Sequence, residues 1–444
     1  MAAWVVASLL LLADLRGDLQ QIVVRSGVEA ERVGVAVGSV DAQPVYRHGA
    51  GVARIPASNQ KLLTAAAAIL KLGADFEFAT RVGLTPEGHL VVVGDGDPNF
   101  SGRWFDGEPN VVLRRFARDV ARRGVTEVKG DLVLDAGRFD DVWIHPDWPR
   151  DQLEKWYCAP VAALLYNDSC WDVTVRPGAT PGALARVRVE PALARPPLDN
   201  HCRTVVRSRE HVVHVGRGRE QGLVVRGGIL AGSEGVAANV TVPDPVLFFG
   251  EAFHAALRAE GVEVRGRVRR GRARNLKAEV VYRSPLARTL VPLLTNSQNL
   301  YAEALYKRTG DGTFAGSGRI VLEVLKSNGV PTEGLVVADG SGLARSNRVT
   351  AHTLYAVLRL MAERELFVRA LAAPGEGTLS KRLRDLEGGV RLKTGTLTGV
   401  TALSGYVTDR SGDRRIMVVL YNGPRTRKAR LLQDAIARRL ADEP

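Results

Sequence analysis

Two stretches of mixed helix and strand character stand far apart in this chain, and what lies between them limits the folds it can adopt. The first ends near residue 80 and the second begins near 276. Between them short strand-like runs follow one another: HLVVVGDGD, DLVLDAGRFD, CWDVTVRPG, ARVRVEP, RTVVRS, HVVHVG and GLVVRGGI. Each is a β-branched run closed by turn residues, the pattern of strands rather than helices. A helix-like insert near 109–124 and a helical stretch near 244–260 are the exceptions. At 444 residues there is length for two to three domains with real cores. The arrangement predicts an α+β fold, one discontinuous domain interrupted by a large β-rich insertion.

The flanking stretches carry the chemistry. Residues 33–54 predict two strands around a polar turn, and Pro56 stops extended structure just before Ser58. From Asn59 to Leu72 the Ala- and Leu-rich run NQKLLTAAAAILKL predicts a helix ended by Gly73. Ser58 then sits at a helix N-terminus, with Lys61 three residues on and on the same face. Such a helix start brings an amine to a hydroxyl beside unsatisfied backbone N–H groups. Serine is a poor nucleophile until a base takes its proton, and lysine serves when burial or cationic neighbours favour its neutral form. The plain alternative is a helix-capping serine followed by an exposed lysine.

Two later triplets complete a pattern. Ser297-Gln298-Asn299 falls in TNSQNLYAEAL, in the helix pair predicted over 284–308. A hydroxyl there would relay a proton between Lys61 and a leaving amine, and the Asn299 amide both donates and accepts. Lys393-Thr394-Gly395-Thr396 opens a strand in the strand-rich stretch 390–421. Lys393 and Gly395 would face one way, Thr394 and Thr396 the other. Gly395 would let a ligand backbone come close as an added strand, while Lys393 and Thr394 offer a cation and a hydroxyl to a carboxylate. Each triplet alone is cheap, but all three in order are hard to obtain by accident. Further helices are predicted over 316–328, 351–363 and 425–441, with an extended run at 335–338.

Composition narrows the partners. A 45% hydrophobic and 25% charged chain is globular, and a net charge of +13 suits an anionic setting such as a cell envelope, membrane surface or nucleic acid. The basic run Arg265–Arg274 lacks interleaved aromatics and reads as a strand with one solvated face, so no nucleic-acid partner is expected. Residues 1–13, MAAWVVASLLLLA, have the length of a signal-peptide core without preceding basic residues. An export or anchor segment is the preferred reading, the buried start of a helix the alternative. Cys158 and Cys170 would be permitted to pair in an oxidising compartment, leaving Cys202 over, although structural use is the stronger reading. His211 and His214 lack an H-E-x-x-H context, and Asp95 and Asp97 read as a turn, so no metal or other cofactor is expected.

S-x-x-K, a serine–asparagine triplet and K-T-G together form the signature of serine enzymes that acylate on penicillin or a D-Ala-D-Ala peptide. The chain resembles the D-alanyl-D-alanine carboxypeptidases/endopeptidases of the class C low-molecular-mass penicillin-binding proteins. IPASNQKLLTAAAAI, GDGDP at Gly94–Pro98, NSQNLYAEAL, ADGSGLARSNRVT, GEGTLSKR and LKTGTLTGVTALSGY carry the resemblance from residue 15 onward, loosely over 165–235. It implies a penicillin-recognising serine transpeptidase/β-lactamase-like domain at 14–80 and 276–444. Two nested domains would interrupt it, one at 81–164 with 236–275 and one at 165–235. It implies Ser58 as the acylated nucleophile, Lys61 as its base and Ser297 as proton relay. Asn299 would hold the substrate amide, with Lys393 and Thr394 on the terminal carboxylate. Gly395 would lie along the substrate, and the backbone N–H groups of Ser58 and Thr396 would form the oxyanion hole. Arg345 would line the pocket for the donor side chain.

Partners so implied are peptidoglycan stem peptides and β-lactam antibiotics outside the cytoplasm, with a peripheral membrane or envelope association left open and the oligomeric state undetermined. Gln298 stands where Asp or Asn is commoner, at a position with no assigned chemistry. Two alternatives remain: a β-lactamase, against whose class A type the large insertion and the missing E-x-x-L-N stretch argue, and a non-catalytic envelope-binding protein of the same fold.

Overall fold

The computed structural model describes residues 15–220, 222–272 and 276–444. The apolar segment 1–13 lies outside the described residues. The chain divides into two compact units, one formed by the chain up to Phe76 and from Pro285 onward, the other by Glu77–Ser284.

The first unit takes its sheet from both ends of the chain. Numbered within this unit, its elements are α1 (15–25), β1 (Val33–Ser39), β2 (Tyr46–His48), α2 (Gln60–Leu72), α3 (Leu286–Leu294), α4 (Asn299–Thr309), α5 (Phe314–Ser327), α6 (Ala351–Met361), α7 (Glu365–Ala370), β3 (Val390–Leu397), β4 (Val400–Thr408), β5 (Arg414–Asn422) and α8 (Thr426–Ala441). The strands pair antiparallel in the order β3-β4-β5-β1-β2, which leaves β3 at an edge. Val33, Val35 and Val37 of β1 cluster with Met417 and Val419 of β5 and with Leu19, Leu432 and Ile436 from α1 and α8. The alternate residues Ile416, Val418 and Leu420 are just as buried. There α6 covers the sheet, and the Tyr355 hydroxyl donates to Ser39 O at 2.6 Å. Burial on both faces is why RIMVVLYN is apolar throughout instead of alternating.

Helix α2 is the centre of the helical layer. Every residue from Gln60 to Ile69 is buried, and the run of small alanines lets α4, α5 and α6 close around it. The extended run expected at 335–338 makes only one bridge, Val336 to Arg348. It leads into a turn at 339–344 whose backbone N–H groups bond side-chain carboxylates instead of a strand partner.

The second unit holds a five-stranded sheet in the order 268–270, 132–135, 90–93, 77–84, 277–285. Helices Asn110–Arg122 and Pro245–Ala259 pack with it through Phe100, Phe116, Phe249 and Phe253, whose rings approach at 5.4–6.4 Å. Asp244 caps the second helix by accepting from Val246 and Leu247 N–H, with Pro245 in the first turn. Two further sheets lie in 170–241, one of strands 236–241, 170–176 and 186–190, the other of 203–205, 223–230 and 212–217 with 198–200 beside it.

Three arginines of the basic run are paired within this unit. Arg265 pairs with Glu127 and Glu263, Arg269 with Asp131, and Arg270 with Asp244 while lying 4.3 Å over the Trp143 ring. Among the described residues of that run only Val268–Arg270 is a strand. Cys158, Cys170 and Cys202 are each a free, buried thiol, so the pairing considered for the first two is not formed. Burial raises all three thiol pKa values, that of Cys158 to about 12. Asp97 forms a buried turn, accepting from Asn99 N–H and Ser284 Oγ, and burial pushes its carboxyl up to about 6. His211 Nδ1 accepts from Leu230 N–H, a structural use.

Candidate active site

All three triplets meet in the first unit. The chain enters α2 through a single turn of 3-10 helix, Ala57–Asn59, with Ala57 in the left-handed region at φ 47°. That entry leaves Ser58 half-buried while Lys61, one turn on, has no solvent exposure. Lys61 Nζ lies 3.1 Å from Ser58 Oγ, 2.7 Å from Asn299 Oδ1 and 2.8 Å from the Ser341 carbonyl oxygen. All three oxygens are neutral. A neutral amine has two N–H donors and one lone pair. Donation to Asn299 and Ser341 therefore leaves the lone pair for the Ser58 hydroxyl.

Electrostatics favour that state. Burial lowers the Lys61 pKa from the usual lysine range to about 7, with the carboxylates of Glu303 and Asp339 opposing the shift. Lys393 is also fully buried, and burial followed by the Lys61 charge holds it well below its ordinary value. Its Nζ donates to Ser297 Oγ at 2.8 Å and to Thr394 O at 2.8 Å. Ser297 adopts φ 62°, left-handed for a residue with a side chain, as it turns the chain into α4.

Edge strand β3 runs directly beside the serine. Asn59 Nδ2 donates to the Lys393 carbonyl at 3.0 Å and Asn59 Oδ1 accepts from Ser404 Oγ, clipping the start of α2 to β3 and β4. Gly395 is required by this closeness: a Cβ there would lie 2.9 Å from Pro56 O and 3.2 Å from Ser58 N. Lys393 and Gly395 are buried on the α2 side, Thr394 is half-buried and Thr396 exposed. Thr396 Oγ1 is 3.5 Å from Arg430 Nη2 of α8. Thr394 is therefore turned away from Lys393, so a carboxylate would meet both only by lying along the strand edge. Arg345 is exposed, its guanidinium 3.1 Å from the Thr398 carbonyl at the β3–β4 turn. Gln298 is buried at the entry to α4.

Sequence reasoning missed a second layer. Glu303 and Asp339 have no solvent exposure, and both bond the 339–344 turn that carries Ser341. A signal was available: Asn299, Glu303 and Lys307 recur every four residues on a helix buried almost throughout. A polar stripe on such a helix has to be paired inside the protein. Among the described residues no group of three or more His, Cys, Asp or Glu could hold a metal ion, and no helix is long and apolar enough to cross a membrane.

A reachable serine held by a buried lysine, beside the open edge of an antiparallel sheet, is the kind of centre a serine acyl-transfer enzyme uses. The chain belongs to the D-Ala-D-Ala carboxypeptidase 3 (S13) family, whose model matches residues 15–443. It is 35% identical over 468 aligned positions to a D-alanyl-D-alanine carboxypeptidase of Actinomadura sp. (strain R39), covering 97% of this chain and 85% of that protein. With the D-alanyl-D-alanine carboxypeptidase DacB of Haemophilus influenzae it shares 27% identity over 85% of this chain and 84% of the relative. The crystal structure of penicillin binding protein 4 from Haemophilus influenzae superposes with a TM-score of 0.78 at 24% identity, covering 96% of this chain and 99% of that one. The fold is thus the mixed helix-and-sheet penicillin-recognising fold.

Proposed function

We propose that this protein is a serine D-Ala-D-Ala carboxypeptidase acting outside the cytoplasm on peptidoglycan stem peptides, with Ser58 as nucleophile. The observation that carries the reading is the Lys61 amine, 3.1 Å from Ser58 Oγ with its other two directions bonded to Asn299 and Ser341. Lys61 takes the Ser58 proton as Oγ attacks the carbonyl of the D-Ala-D-Ala bond. The backbone N–H groups of Ser58 and Thr396 stabilise the oxyanion, where preorganised donors act most strongly. The C–N bond then breaks, and the proton returns through Ser297 to the departing amine of D-Ala. Water hydrolyses the acyl-enzyme ester and releases the shortened peptide. Asn299 holds the substrate amide, Lys393 and Thr394 the terminal carboxylate, and Gly395 lets the peptide lie along β3. Arg345, fixed at the β3–β4 turn, reaches the donor side chain.

A β-lactam mimics the scissile amide, but its leaving nitrogen stays tethered, so the ester persists. A relative from Haemophilus influenzae, TM-score 0.74, has been crystallised with a β-lactam. Cleavage of cross-bridges ending in a D-amino acid uses the same atoms and is part of the reading. The sheets support two nested domains, but not at 81–164 with 236–275 and at 165–235: strand 236–241 pairs with 170–176, which carries the inner one to 241, and strands 77–84 and 277–285 widen the outer one. The test is a comparison of D-Ala release from a D-Ala-D-Ala peptide with penicillin turnover. Release of D-Ala with a long-lived penicilloyl adduct is expected. Fast, sustained penicillin hydrolysis would instead make the protein a β-lactamase, and no reaction with either a binding protein.

A further inference from the structure

Glu303 lies one turn beyond Asn299 on α4 and has no solvent exposure. Each carboxylate oxygen accepts from the backbone: Oε2 from Gly340 N–H at 2.8 Å and Oε1 from Ser341 N–H at 2.8 Å. Burial, then the Asp339 charge, push the carboxyl up to about 8, and these two bonds oppose the rise. The carbonyl of Ser341 is the one that accepts from Lys61 Nζ, and the carbonyl of Gly340 accepts from Thr64 Oγ1 at 2.7 Å on the same face of α2. The turn therefore gives its N–H groups to α4 and its carbonyls to α2. Its far end is fixed by Asp339, which accepts from Gly342 N–H, Ala344 N–H and Asn347 Nδ2 at 2.7–2.8 Å. Gly342 presses on the serine turn so closely that a Cβ would lie 1.8 Å from the Ala57 carbonyl oxygen. This peptide has almost no room to rotate.

We infer that Glu303 is a positioning residue for the acylation base: it holds the Ser341 peptide so that its carbonyl fixes one N–H of Lys61. The inference rests on the reading of Ser58 and Lys61 as nucleophile and base. It assigns to the second residue of the α4 stripe a task that no part of the S-x-x-K, S-x-N and K-T-G pattern contains. The charged groups around Lys61 are Glu303 on α4, with Lys307 a turn further along the same helix, Asp339 in the turn and Lys393 on β3. Glu303 and Asp339 raise the Lys61 pKa against burial.

The test is penicillin acylation of the full chain, with limiting rate and half-saturating concentration measured separately, for wild type, Glu303→Gln and Glu303→Asp, with Ser58→Ala as control. Glu303→Gln keeps the shape, but the new amide meets only one of the two backbone N–H donors. Its limiting rate should fall about tenfold while its half-saturating penicillin concentration stays within about twofold of wild type. Glu303→Asp keeps both acceptor oxygens with a shorter reach, so its limiting rate should fall about fivefold. An unchanged limiting rate in folded Glu303→Gln overturns the proposal. Should that variant not fold, an unchanged limiting rate in Glu303→Asp overturns it. Labelling of Ser58→Ala equal to wild type would instead refute the Ser58 reading, whatever the Glu303 variants do.

Discussion

Two sets of cations in this molecule have opposite surroundings. Arg265, Arg269 and Arg270 in the second unit are exposed, and each meets a carboxylate. Lys61 and Lys393 in the first unit have no solvent exposure, and the oxygens they bond are hydroxyls, an amide and backbone carbonyls. The first arrangement keeps a charge solvated and paired, where it changes little. The second takes a charge out of water without an ion-pair partner, which drives the amine toward neutrality. An arginine-rich run is conspicuous in sequence and mainly structural, whereas two scattered lysines make the site.

The largest effect should come from the lysine set. Ser58→Ala should abolish penicillin labelling, and Lys61→Met should slow acylation by about 10²–10⁴-fold, the span of general-base catalysis, by stopped-flow or gel labelling. Wild-type rates from Lys61→Met would make the buried amine a structural feature only. Next is Gly395→Ala, whose added carbon would sit 2.9 Å from Pro56 O and push β3 from the serine turn. A displacement on the order of 1 Å at such a site costs about 10²-fold in acylation, so a rate within a factor of about two of wild type would show that the strand yields freely.

The arginine set should respond weakly. Arg269→Ala removes a partly exposed pair with Asp131, and stability by denaturant titration should fall by no more than about 1 kcal/mol with acylation unchanged. A larger loss would mean that the run has a role beyond solvation. Smallest of all, the three buried thiols should resist alkylation in the native protein and react only after unfolding. Rapid native modification of Cys158 or Cys170 would contradict their burial.

Much of this contrast was legible beforehand. The Ala-rich helix after Pro56, the helix pair that carries Ser297-Gln298-Asn299 and the strand at Lys393 follow from local pattern, because helix starts, caps and β-branched runs are encoded within a few residues. Burial of Lys61 was not legible, since it depends on α4, α5 and α6 closing over α2 from more than 200 positions away. The extended run at 335–338 was legible, but not that the turn after it gives its N–H groups to Glu303 and Asp339, one of them distant in sequence.

The central claim, that a buried and neutral Lys61 activates Ser58, is tested most directly by the pH dependence of wild-type acylation by a fluorescent penicillin. The Lys61 pKa is lowered to about 7, so the amine is protonated and inactive below that pH and free to accept a proton above it. The second-order rate should therefore climb tenfold per pH unit on the acid side and level off above about pH 7. A profile flat across neutrality, or one still rising toward the ordinary lysine range near pH 10, would contradict the account.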